Sequence, residues 1–158
     1  MVEPTGRKLV ATHRKARFEY EILDTVEAGL VLRGPEVKSL RAGRASLSDA
    51  YAIVRRGEAF LLNLHISPYE EAARENSEAR RERKLLLHRS EIARLSGAVS
   101  ERGFTLIPLT LYFKEGRAKV ELALARGKKR YDKRETIRRR EEEREVRRTV
   151  RQRGRFRS

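Results

Sequence analysis

The chain has 158 residues with 38 Lys and Arg against 23 Asp and Glu, a formal net charge of +15, and 39% hydrophobic residues. That composition suits one domain with a core of roughly 100 residues plus an appendage. The absence of Cys excludes disulfides and thiolate metal sites. The first residues carry Pro, Gly and cations where a signal sequence or span needs an apolar run, which leads to the expectation of a soluble, cytoplasmic protein.

In chain order, residues 18–32 alternate at Phe18, Tyr20 and Ile22 and run on to Leu32, predicting a long strand or hairpin with a bend or bulge at Gly29. GPEVKSLRAG predicts a two-turn helix, with Pro35 at its start, Val37 and Leu40 three apart, and Gly43 as its left-handed stop. Residues 51–66 predict a strand pair turning at Arg55–Glu58, with Phe60, Leu62, Leu64 and Ile66 on one face, Asn63 and His65 on the other, and Pro68 as terminator. The polar stretch 70–83 is compatible with an exposed helix or a loop. A helix should follow, N-capped by Ser90, with Ile92, Leu95 and Val99 on one face.

Residues 104–125 predict a hairpin around Gly116. Ile107, Leu109, Leu111 and Phe113 alternate on the way out, and Ala118, Val120, Leu122 and Leu124 on the way back, with Pro108 at an edge or bulge. The expected fold class is therefore mainly β: a small antiparallel barrel of about six strands with two or three short helices.

Gly127 should break the last strand, and beyond it the apolar pattern stops. Residues 126–158 hold 16 Lys and Arg against 6 Asp and Glu, a net of +10, whereas the preceding 125 residues hold 22 against 17, a net of +5. Two thirds of the excess thus lies in the tail, the electrostatic footprint of a polyanionic partner. Pairs such as Glu143 with Arg147 and Glu141 with Arg144 have helical spacing, so the tail is expected to be disordered alone and helical against an anionic surface. The expected organisation is a flexible 1–8, a barrel domain 9–126 and a basic tail 127–158.

Catalytic chemistry has little support. His13, His65 and His88 are far apart and none sits in an HExxH-type spacing. ARGKKR lacks the first glycine of a phosphate-binding loop and places Lys129 where that loop has a hydroxyl. Ser46 and Ser67 have no neighbouring base in sequence. No catalytic residue, metal site or cofactor is assigned.

Five ordered blocks carry a more specific signal: ATHRKARFEYEI, EAGLVLRGPEVKSLRAGRASLSDAY, GEAFLLNLHISPY, RKLLLHRSEI and LTLYFKEGRAKVELALARGKKRYDKRE. They resemble the SsrA-binding protein family, also called small protein B, over about residues 9–150. The resemblance implies a bacterial, monomeric adaptor with an oligonucleotide-binding-type barrel and no enzymatic activity. Such proteins bind the tRNA-like domain of transfer-messenger RNA and enter stalled ribosomes with it in trans-translation. A ribosomal or assembly protein with a basic rRNA-binding extension is the alternative reading.

The resemblance carries functional positions over residue by residue. Transfer-messenger RNA contacts fall on His13, Arg14, Lys15, Arg17, Glu27, Lys84, Leu86 and His88, with His13 standing where many members have Asn. From the residues alone, Leu86 reads equally as core and Glu27 as a turn carboxylate. The segment expected at the small-subunit decoding centre comprises Gly127, Lys128, Lys129, Tyr131, Asp132, Lys133 and Arg134, with Tyr131 at a position that is His in some members. Arg138, Arg139, Arg140, Arg144, Arg147 and Arg148 are expected to meet rRNA along the empty message channel.

Overall fold

A computed structural model describes residues 6–68, 78–128, 137, 138, 140–142 and 144–147. Its elements in chain order are β1 (Arg7–Thr12), α1 (Ala16–Glu19), β2 (Tyr20–Leu30), α2 (Gly34–Arg41), β3 (Ala45–Ser46), β4 (Tyr51–Arg55) and β5 (Glu58–Leu62). There follow β6 (His65–Ile66), β7 (Arg83–Leu86), α3 (Arg89–Arg102), β8 (Thr105–Lys114) and β9 (Arg117–Gly127). The main sheet runs β1-β8-β4-β5-β7-β2-β9, and a further β8–β9 pairing bends it back on itself. Strands β8, β4, β5, β7, β2 and β9 thus form a closed antiparallel ring of six, the barrel expected from the pattern, with β1 added along β8 and the short β3–β6 pair outside.

Two hairpins set the register. Arg56 and Gly57 have φ of 52° and 74°, and Glu115 and Gly116 have 52° and 76°, so both turns are two-residue loops with left-handed central residues. They pair Arg55 with Glu58 and Lys114 with Arg117. Inside the ring Ala28, Leu30, Leu61, Leu64, Leu85, Leu106, Leu111, Val120 and Leu122 form the main core, and Leu40 of α2 and Leu95 of α3 plug into it.

The structure moves several expected features. Phe18 belongs to the helical turn α1, and the strand starts at Tyr20. The irregularity in β2 lies between Ile22 and Asp24 rather than at Gly29, which keeps regular pairing with Lys119 and Leu86. The inward face of β5 is Ala59 and Leu61, with Phe60 and Leu62 only half-buried. Asn63, at φ 58°, then turns the chain so that Leu64 and Ile66 re-enter the core. A strict two-residue period cannot foresee that reset.

Similarly, the shift between Pro108 and Thr110 is the anticipated bulge, but it splits the expected face of β8. Leu111 and Phe113 enter the main core, while Ile107 and Leu109 join Ala16, Ala123 and Ala125 in a second cluster on the outside of the sheet. Helix α3 begins two residues earlier than a Ser90 cap implies: His88 is the N-cap, and its backbone N–H donates to Glu91 Oε1 at 3.1 Å.

The described end of the 70–83 stretch is a turn at Ala79 and Arg80 that leads into β7, fastened by buried charge. Arg83, 1% exposed, donates from Nε to Glu36 Oε2 at 2.7 Å and to the carbonyls of Leu64 (2.6 Å) and Ala79 (3.0 Å). Arg81 donates to Glu36 Oε1 at 2.5 Å, and the Arg33 backbone N–H to the same oxygen at 2.8 Å. Burial pushes the Glu36 carboxyl up, but these donors outweigh it and hold it below the usual carboxylate range.

Candidate nucleic-acid interface

Alternation along β7 sends Leu85 inward and leaves Lys84 and Leu86 outside. Leu86 is 55% exposed, so it is not a core residue. It pairs with Gly29, where an added Cβ would stand 3.2 Å from the Leu86 Cβ. Gly29 is therefore favoured by close approach: the missing side chain lets Leu86 lie across β2 without shifting. Val31 is another exposed apolar side chain beside it, its N–H donating to the Lys84 carbonyl at 3.0 Å. A cleft of about 650 Å³ adjoins this patch, with Leu86 and Ile92 on its walls and Arg56, Lys84 and Arg89 among its lining cations. An apolar platform flanked by cations suits an unstacked base and its phosphate.

Glu27 lies two residues before Gly29 on the same outer face of β2, in mid-strand and not in a turn. Its Oε2 accepts from the Tyr112 hydroxyl at 2.5 Å and lies 3.7 Å from Lys114 Nζ and 3.9 Å from an Arg7 nitrogen. The Tyr112 hydrogen bond is the main reason its carboxyl is held below the usual range. Sequence reading missed Arg7, Tyr112 and Lys114 as neighbours of Glu27. The alternation that put Leu111 and Phe113 inside already placed Tyr112 outside, but nothing local announced its partner 85 residues away.

The remaining expected RNA contacts fall elsewhere. His13, Arg14, Lys15 and Arg17 occupy the β1–α1 connection and α1, at the opposite end of β2 from Gly29, roughly 30 Å along the strand. The His13 backbone N–H donates to Leu109 O at 2.8 Å, and a cleft of about 430 Å³ is lined by His13, Arg14, Lys15, Ser46, Ser48 and Asp49. Thus Glu27, Lys84 and Leu86 share one face with the exposed His88 just beyond it, and the His13–Arg17 group forms a second.

That second group adjoins the root of the tail. Gly127 ends β9 opposite Tyr20. Lys128, expected to face rRNA, donates from Nζ to the Arg17 carbonyl at 2.8 Å and from its backbone N–H to Glu19 O at 2.9 Å. Further on, the described residues Ile137, Arg138, Arg140–Glu142 and Arg144–Arg147 are helical and exposed, with Arg138 and Glu142 paired at 4.0 Å. Lys129, Tyr131, Asp132, Lys133, Arg134, Arg139 and Arg148 lie outside the described residues. Among the described residues no group of three His, Asp or Glu side chains is placed to hold a metal.

A closed six-stranded barrel with an exposed apolar patch among cations and a strongly basic extension defines an RNA-binding barrel protein. The family model described as SmpB protein matches residues 10–152. The SsrA-binding protein of Desulforudis audaxviator is 61% identical over 144 residues, covering 91% of this chain and 94% of that protein. The SsrA-binding protein of Acidothermus cellulolyticus is 57% identical over 150 residues, covering 95% and 94%. A solved structure described as "tmRNA-SmpB: a journey to the center of the bacterial ribosome" is similar with a TM-score of 0.65 and 51% identity, over 81% of this chain and 94% of that one. The chain belongs to the SsrA-binding protein family.

Proposed function

We infer that the chain is the RNA-binding adaptor of trans-translation and not an enzyme: it binds transfer-messenger RNA and acts with it at the stalled ribosome. The observation that carries the assignment of surfaces is the exposed Leu86, seated over Gly29 and flanked by Lys84, Arg56 and Arg89. In this reading the tRNA-like domain lies against the β2–β7 face, where Glu27 accepts from nucleotide or ribose donors and Lys84 and His88 contact the backbone. His13, Arg14, Lys15 and Arg17 form a second point of contact on the same RNA.

The tail serves the ribosome. Residues from Gly127 to Arg134 meet small-subunit rRNA at the decoding centre, and Arg138 to Arg148 line the empty message channel, the helix being stabilised as phosphates neutralise its arginines. Lys128 anchors the departure of this segment from the barrel. The site of action is the cytoplasm and the acting form is a monomer; among the described residues no helix is long and apolar enough to cross a membrane.

The test is a titration of the whole chain and of a chain ending at Gly127 against the tRNA-like fragment and a charge-matched duplex, at low and moderate salt. Selective binding retained by the shortened chain supports the division of labour. Equal, weak binding to both RNAs would instead make the tail a generic phosphate anchor.

A further inference from the structure

Glu27 stands directly across from Glu121 in the β2–β9 register. Like charges at such positions repel, so this pair requires compensation. Arg7 supplies it from β1: one guanidinium nitrogen donates to Glu121 Oε2 at 3.1 Å, the other reaches Glu27 Oε2 at 3.9 Å, and the group lies 4.3 Å from the Tyr112 ring centroid. Tyr112 is fully buried beneath it. From β8, the Tyr112 hydroxyl and Lys114 Nζ approach the same Glu27 oxygen, at 2.5 and 3.7 Å. All three contacts converge on Oε2, and Oε1 takes none of them. The carboxylate is gripped by one oxygen, and the Glu27 side chain remains 32% exposed.

Resting on the reading that Glu27 faces the RNA, we propose that Tyr112 is a positioning residue for RNA recognition: its phenol fixes the Glu27 carboxylate so that Oε1 meets a donor on the RNA, an exocyclic amino group or a ribose 2′-hydroxyl. A side chain fixed before binding loses less rotamer freedom when the complex forms. The ring that supplies the phenol is itself buried and stacked under Arg7. The charged groups facing the carboxylate are Arg7 of β1, Lys114 of β8, and Lys119 and Glu121 of β9. Cations predominate, and together with the phenol they favour the ionised form, which can only accept.

The experiment compares Glu27→Gln, Tyr112→Phe and the double variant in the full chain, binding the tRNA-like fragment and a charge-matched duplex. Tyr112→Phe keeps the ring and its stacking on Arg7, so thermal unfolding should stay close to that of the parent. Each single change is expected to weaken fragment binding about fivefold, the double variant to bind no worse than Glu27→Gln alone, and duplex binding to stay unchanged. Carbon-13 NMR of the free protein should show the Glu27 carboxyl titrating at higher pH in Tyr112→Phe than in the parent. Additive losses, or parental binding by Tyr112→Phe where Glu27→Gln binds weakly, would overturn the positioning role while leaving Glu27 on the interface. Parental binding by Glu27→Gln would overturn both.

Discussion

Leu122 of the barrel is fully buried between neighbours from several strands, whereas Ile137 of the tail is 43% exposed and shares its described helix with charged side chains and an exposed Val146. The barrel is held by apolar burial and by ladders joining residues far apart in sequence, such as Tyr20 with Gly127. The described tail has an ion pair four residues apart, of a kind worth a few tenths of a kcal/mol. The first region specifies its own structure. The second carries two thirds of the excess charge, in residues 126–158.

The largest test of that contrast lies in the buried charges. Glu36→Ala leaves Arg83 enclosed without its carboxylate and should cost about 3–5 kcal/mol of stability, read from denaturant unfolding. Leu122→Ala follows, at about 2–5 kcal/mol. Acid should act on the same lock. Because the folded Glu36 carboxyl titrates below its usual range, its stabilisation is present above the unfolded pKa of about 4.3 and is lost as pH falls through the lower folded value. A Glu36→Gln chain should therefore show a smaller drop in thermal midpoint between pH 7 and pH 3 than its parent.

Gly29→Ala comes next, at about 1 kcal/mol of stability because Leu86 must give way by tenths of an ångström; its effect should read more clearly in weaker binding of the tRNA-like fragment. Ile137→Ala should sit at the bottom of the series, within about 0.5 kcal/mol of the parent by the same unfolding measurement. A loss in that last variant as large as in Leu122→Ala would show that the tail packs on the barrel, and the contrast would have to be abandoned.

Where the sequence was legible follows the same division. The hairpins were readable because Arg56-Gly57 and Glu115-Gly116 are local signals flanked by alternating apolar residues. The inward faces were readable only until a left-handed Asn63 or the bulge after Pro108 reset the alternation, since periodicity assumes an unbroken ladder. Strand β7 was obscured because Leu85–Leu87 is an apolar run that merges into the helix signal of α3. Of the site, the charge of the tail and the family blocks were visible from the start. The Arg81–Arg83–Glu36 lock and the Arg7–Tyr112–Glu27 arrangement were not, because each joins strands distant in the chain.

The ring of strands is uneven around its circumference. Strands β2 and β9 match over nine residue pairs, but β4 meets β8 through the single pair Ala52 and Leu106. A cylinder joined so unequally has a clasp, and the clasp is the cheapest place for it to part. Amide protons along β4 should exchange through a local opening well before those of β9, so the barrel can breathe on the α3 side while the β2–β9 wall beside Glu27 stays rigid.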